Sequence, residues 1–367
     1  MRPVKVLYVN GGALDYGGIS TVLMNYAARM DRERVAVDFV VHGEKPGPRE
    51  GEALALGAKV LHVPYKAQGL QRNREALGKA MEGYDIVHAH MDGMNGYVLK
   101  IAKEKGIPRR ISHCHNTKFL TTNPARVLLH RLTAERIKTV ATAFYACSAD
   151  AGRFLYGDAF LKAGKVTVIH NAIELDRFRF DPSGREKLRA ELGVQNRFVI
   201  GSVGRYDYQK NQAFLIEHFP AVLALRPEAV LLLAGDGGDR AMLEEKMRAL
   251  HLENSVRLLG YRQDVAGLFS AFDRFVLPSR FEGLGIVLIE AQMSGLSCLA
   301  SDSVPRDTAV TACRYLPLTE GEAWVQAMAE KEPMGNRDVD AAPFRAAGYD
   351  IDVEAEKLQR RYLEMLP

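Results

Sequence analysis

The segment Gly204-Arg205-Tyr-Asp-Tyr-Gln-Lys210-Asn211 sets two cations five residues apart, in a glycine-opened stretch that follows an apolar run ending at Val203. Arg205 can hold phosphate oxygens in a bidentate fork and Lys210 as a point charge, so the pair suits a diphosphate. Further on, Pro278-Ser-Arg-Phe-Glu282-Gly283-Leu284-Gly285-Ile286-Val-Leu-Ile-Glu290-Ala-Gln carries two carboxylates around a glycine-rich turn. Its glycines predict a tight loop and then a helix over 285–294, whose unpaired N–H groups and positive dipole end attract phosphate. Glu282, in the loop, can accept hydrogen bonds from sugar hydroxyls. Glu290 falls about one and a half turns into the helix, among Val287, Leu288, Ile289 and Ala291. A carboxylate in such a stretch requires a partner, and a ribose diol is one. Spacing alone leaves open a solvated face for the cations, and an exposed position or a buried salt bridge for Glu290.

These segments need elements to hold them. Val4-Lys-Val-Leu-Tyr-Val9 is a short apolar run stopping at Asn10-Gly11-Gly12, which reads as a buried strand and a turn. A helix is expected from Gly18-Ile-Ser-Thr21, with Val22, Leu23, Tyr26 and Met30 as its apolar stripe. Strand signals recur at 35–41, 59–63, 85–88, 110–113, 143–146 and 166–170, and again at 198–203, 229–234, 255–259, 274–277 and 297–300. Strands alternating with helical segments imply βαβ units and a mostly parallel sheet. The pattern loses its strands between Asn171 and Asn196, at the turn cluster Asp181-Pro-Ser-Gly184. The expected fold is therefore α/β, with two Rossmann-like domains over 1–175 and 176–345. A last helix over 346–367 can pack back on the first domain. Ligands of open parallel sheets bind beyond the carboxyl ends of the strands, so two facing domains would enclose a cleft.

Composition bounds this reading without naming a function. A length of 367 residues suggests two domains, and 47% hydrophobic with 26% charged residues is ordinary for a globular chain. The four cysteines show no C-x-x-C pair and no zinc-ligand spacing, and a cytoplasmic setting is expected. Neither a signal-peptide core nor an apolar run of about 20 residues is visible. Charge is uneven: residues 1–179 hold 27 Lys+Arg against 17 Asp+Glu, and residues 180–367 hold 22 against 28. Between Pro124 and Lys138, Val127, Leu128, Leu132 and Ile137 can share an apolar side flanked by Arg126, Arg131, Arg136 and Lys138. Such a basic amphipathic helix can lie on an anionic membrane surface or pack on its own sheet. No metal site is expected: His88, His90, His113 and His115 have no carboxylate at ligand spacing, and Asp338-Val-Asp340 and Asp350-Ile-Asp352 read as solvated acids. Nicotinamide binding lacks its full glycine fingerprint.

Taken together, Glu282-x7-Glu290 within Phe-Glu-Gly-Leu-Gly, Gly204-Arg205 and Gln209-Lys210-Asn211 resemble the retaining glycosyltransferase family 4, of GT-B fold. Gly17-Gly18-Ile-Ser-Thr, Val87-His-Ala-His90, Ser112-His-Cys-His115-Asn-Thr117, Val168-Ile-His-Asn-Ala172, Gly235-Asp-Gly237 and Asp273-x3-Leu-Pro-Ser279 extend the resemblance over nearly the whole chain. It implies a hexosyltransferase that takes a nucleotide-sugar donor, UDP-hexose being commonest, with no cofactor and no metal. Catalytic roles would fall to Glu282, His115, Arg205 and Lys210. Donor contacts would come from Gly17, Gly18, Arg205, Lys210, Tyr261, Arg262, Glu282, Gly283, Leu284, Gly285, Ile286 and Glu290. The first domain would bind a glycan or lipid-linked acceptor, in bacterial surface-polysaccharide synthesis, with no nucleic-acid partner. A nucleotide-sugar epimerase of the same architecture and a non-catalytic sugar-nucleotide-binding subunit are the competing readings.

Overall fold

A computed structural model describes residues 2–119, 123–330 and 337–366. The chain divides into two compact units, one of Met1–Ile173 with Asp350–Pro367 and one of Glu174–Tyr349. In the first, seven parallel strands are β1 Val4–Asn10, β2 Val35–His42, β3 Val60–Val63, β4 Ile86–His90, β5 Arg109–Cys114, β6 Ala143–Ala146 and β7 Val166–Val168. Their order is β3-β2-β1-β4-β5-β6-β7. In the second unit β8 Phe198–Val203, β9 Ala229–Ala234, β10 Val256–Gly260, β11 Arg274–Leu277, β12 Ser297–Ser301 and β13 Cys313–Leu316 run in the order β10-β9-β8-β11-β12-β13. Each sheet reverses direction of growth at one place, between β1 and β4 and between β8 and β11. Ligands of doubly wound sheets bind at that switch point.

The strands form where the sequence is continuously apolar, as it must be for a sheet covered on both faces. All six residues of β9, Ala-Val-Leu-Leu-Leu-Ala, are buried. Around them pack Phe214, Phe219, Leu243, Trp324 and Met328, the core of the second unit. Leu77, Val98, Leu99 and Ile101 close on β1 and β4 in the first. β13 was not expected, because Cys-Arg-Tyr-Leu neither alternates nor runs apolar.

The boundaries sit slightly off those expected. Leu175 and Phe178 are buried, and Phe178 meets Phe269 at 6.0 Å, so the second unit begins at Glu174. At the other end Tyr349 donates its hydroxyl hydrogen to the Asp307 carbonyl at 2.7 Å, which keeps residues up to 349 with the second unit. Helix Ile351–Glu364 belongs to the first unit and buries Ile351, Ala355, Leu358 and Tyr362 there. Asp350 is a correction to the sequence reading. It is buried, not solvated, and caps that helix by accepting from the Asp352 amide at 3.1 Å.

Candidate functional site

At the second unit's switch point, β8 leads into residues 204–211 and β11 into residues 278–285. Asn211, left-handed at φ 57°, precedes helix Gln212–Leu225, and its side-chain amide donates to the Pro278 carbonyl at 3.1 Å. The Arg280 guanidinium donates to the Asn211 side-chain oxygen at 2.8 Å, and the Arg280 amide to the Gln209 carbonyl at 2.8 Å. The two loops are thus bound into one platform. A third loop presses on it: the Tyr206 amide donates to the Asp236 carbonyl at 3.1 Å, and a Cβ on Gly235 would stand 2.0 Å from the Gly204 carbonyl oxygen. Asp236 is a turn residue, accepting the Gly237 amide at 2.8 Å, as its flanking glycines suggest.

On this platform the Lys210 ammonium lies 2.6 Å from the Glu282 carboxylate, with both side chains largely buried. The same Glu282 oxygen accepts from the Ser279 hydroxyl at 2.6 Å. Glu290 is buried in helix Ile286–Met293, and burial raises its carboxyl to about 7 against the opposing charges of Arg177 and Lys210. That helix follows Gly285, left-handed at φ 86° with no side-chain cap; the Leu288 amide donates to the Gly285 carbonyl at 2.9 Å, and the helical amides before it have no partner within the helix. Arg205 is more exposed, with its Nε 3.6 Å from Asp207.

The structure therefore gathers Lys210, Glu282, Glu290 and Gly283 to Ile286, with Arg205 on the same loop as Lys210. Tyr261 is half-exposed beyond β10, next to the platform, since the Gly235 amide donates to the Gly260 carbonyl at 2.8 Å. Arg262 is engaged elsewhere, donating to Asp264 at 2.7 and 2.5 Å and lying 3.5 Å from Glu191. Ser279 and Gln209 stood in motifs that were read, but without a role; Arg177 is more than a hundred positions from Glu290, and no local spacing points to it.

In the first unit Gly17 precedes helix Gly18–Arg29, and its amide donates to the Asp15 carboxylate at 2.9 Å. Asp15 also accepts from the Ser20 hydroxyl at 2.8 Å, which fixes the turn. His115 follows β5 and is buried. Its backbone amide donates to Asp92 at 2.7 Å, and its Nε2 lies 2.9 Å from His90 Nδ1. Burial lowers the His115 imidazole to about 4, although Asp92 pulls the other way, so the ring is neutral at pH 7. Asp92, which no motif flagged, holds a left-handed φ of 48°, a strained conformation for a residue with a side chain.

Comparison with known proteins places the chain. A family profile described as "Glycosyltransferase Family 4" matches residues 16–177, and one described as "Glycosyl transferases group 1" matches residues 184–311. EpsF of Bacillus subtilis (strain 168), named as a candidate glycosyltransferase, is 33% identical over 98% of this chain and 96% of its own. The UDP-Gal:alpha-D-GlcNAc-diphosphoundecaprenol alpha-1,3-galactosyltransferase of Escherichia coli is 30% identical over 60% of this chain and 58% of its own. Among solved structures, Anabaena Alr3699/HepE in complex with UDP and glucose shares the fold at a TM-score of 0.73 and 19% identity, over 99% of this chain and 96% of that one. With both parallel-sheet units matched and a full-length relative at this identity, the chain belongs to glycosyltransferase family 4, of GT-B fold.

Proposed function

We propose that this chain moves a hexose-type sugar from a nucleotide diphosphate donor, UDP in the first instance, to a glycan or lipid-linked acceptor, with retention of anomeric configuration and no catalytic metal. The observation that carries the reading is the platform at the β8/β11 switch point, where Lys210 lies 2.6 Å from Glu282 beside the uncapped helix that buries Glu290. Breaking the sugar–phosphate bond leaves negative charge on the diphosphate. Arg205, Lys210 and the amides from Gly283 to Ile286 supply preorganised positive charge for it. In front-face attack the departing phosphate oxygen accepts the proton of the acceptor hydroxyl as that oxygen bonds the anomeric carbon, so no protein base is needed. Glu282 takes sugar hydroxyls; one of its oxygens already accepts from Lys210 and Ser279, which blunts it as a nucleophile. Glu290 takes the ribose diol, and His115, neutral at pH 7, keeps the sugar-contacting role that the family resemblance implies. We assign Tyr261 and the backbone at Arg262 to the base, and Gly17 with Gly18 to phosphate or acceptor, as the family resemblance implies.

Two supports are external. The Anabaena structure holds UDP and glucose, and the Escherichia coli relative is named for transfer to a diphosphoundecaprenol-linked sugar. They favour a UDP-sugar, a lipid-linked acceptor and surface-polysaccharide assembly at an anionic membrane face. Among the described residues no helix is long and apolar enough to cross a membrane.

Incubation with a panel of nucleotide sugars tests the reading. Expected are a transfer product of the donor's anomeric configuration by NMR, no dependence on added Mg²⁺ or Mn²⁺, and persistence through brief chelation. Arg205→Ala, Lys210→Ala and Glu282→Gln should each lower turnover by about 10²- to 10³-fold with the fold intact. Near-normal activity in the Arg205 and Lys210 variants, an epimerised donor, or binding without turnover overturns the reading.

A further inference from the structure

β4 and β5 lay four imidazoles along one face of the first unit's sheet. His88 and His90 stand two apart on β4, and the register Ala89↔Ser112 brings His90 beside His113, two before His115. All four are buried. His88 Nε2 lies 3.2 Å from His113 Nδ1, and His88 Nδ1 lies 2.6 Å from the Tyr362 hydroxyl, which is 3.1 Å from that of Tyr8. The bonds made leave His90 Nε2, His113 Nε2 and His115 Nδ1 buried with no hydrogen-bond partner among the described residues. Buried polar atoms of side chains are rarely left so, and the one on His90, whose ring centroid lies 4.1 Å from that of His88, points to a missing partner there.

We infer that His88, His90 and His113 form a binding site for a late first-row divalent cation of the zinc class. Each presents a ring nitrogen within 4.8 Å of the other two. Two nitrogens bound to one tetrahedral zinc at about 2.0–2.1 Å stand about 3.3 Å apart. His88 and His113 already hold that separation, and rotation of the rings by an ångström or so brings in the third. Imidazoles without carboxylates select zinc, cobalt(II), nickel or copper over magnesium and calcium. The sequence expectation of no metal rested on the lack of a carboxylate at ligand spacing, and three imidazoles do not need one. Tyr362 on His88 Nδ1 is the outer partner that orients a ligating ring. Asp92, which accepts from the His115 amide, contributes negative charge beside the cluster.

Such an ion would join β4, β5 and helix Ile351–Glu364, and would steady the His113 ring on which His115 stacks at 4.2 Å. The cluster belongs to the first unit and the platform of Arg205, Lys210 and Glu282 to the second, and the transferase reading stands or falls without the ion.

The test is cobalt(II) titration of the full chain after chelator treatment. Expected is a d–d absorption of tetrahedral intensity that saturates at about one ion per chain and is displaced by zinc. It should vanish in His88→Gln and His113→Gln and persist in Arg205→Ala and in His62→Gln, a surface histidine paired with Glu50 at 2.9 Å. Absence of saturable uptake, which leaves a buried water as the occupant, or uptake unchanged in folded His113→Gln, overturns the inference. Should the histidine variants not fold, X-ray absorption of the zinc-loaded wild-type chain decides. A shell of imidazole nitrogens at about 2.0 Å supports the site, and a shell of oxygen or sulfur ligands overturns it.

Discussion

Glu290 shows what one buried carboxyl commits a protein to. Its neighbours Leu288, Ile289 and Ala291 are fully buried, and that part was legible in Val-Leu-Ile-Glu-Ala. The partners were not: Lys210 and Arg177 come from other segments, and contacts across such separations leave no trace in local spacing. Because the carboxyl is raised from about 4.5 to about 7, the unfolded chain ionises first as pH increases. Between those values the unfolded state binds fewer protons than the native one, so stability falls with rising pH, by on the order of 3 kcal/mol in all. Glu290→Gln removes this term. Its unfolding midpoint should therefore hold steadier than the wild type's from pH 5 to pH 8, while its affinity for UDP drops. Parallel pH profiles for the two proteins would show that Glu290 is ionised in the fold.

At the scale of elements, the strands were readable because a doubly covered parallel sheet demands apolar runs, and the loops because glycine interrupts them. Which loops touch is set by strand order, and that was not readable. The packing of Gly235 against Gly204 is an example: the motif Gly-Asp-Gly is visible, but its reason is a carbonyl thirty-one positions away. Gly235 also holds φ +146°, where a side chain is strained. Gly235→Ala should lower stability by about 1–3 kcal/mol and loosen residues 204–211. Gly238→Ala, whose Cβ meets nothing within 4 Å, should be close to neutral. Thermal unfolding with and without UDP checks both. Equal midpoints for the two variants would mean that the third loop does not brace the platform. Arg262 is the converse case, a cation that the family pattern places near the base and that the fold commits to Asp264 and Glu191.

Over the whole molecule, charge is unevenly divided between the two units. The first unit carries 28 Lys+Arg against 20 Asp+Glu, the second 21 against 25. Helix Pro124–Val140 corrects the expected apolar side: Ile137 turns inward with Thr133, Ala134 and Val140, while Leu128, Leu129 and Leu132 are 57%, 48% and 58% exposed. One side of the helix is thus buried, and the other leaves its leucines exposed. Three neighbouring exposed leucines with Arg126, Arg131 and Arg136 suit the headgroup plane of an anionic bilayer, where each cation contributes about 1 kcal/mol. Co-sedimentation with vesicles should show binding to anionic and not to neutral lipid. Added salt should release part of it, since exposed charges are screened beyond about 8 Å at physiological ionic strength. Leu128→Asp with Leu132→Asp changes only exposed positions, so the fold should survive, and binding should fall with thermal stability unchanged. A protein that stays in the supernatant with anionic vesicles at low salt does not dock by this helix, and its acceptor then reaches it by another route.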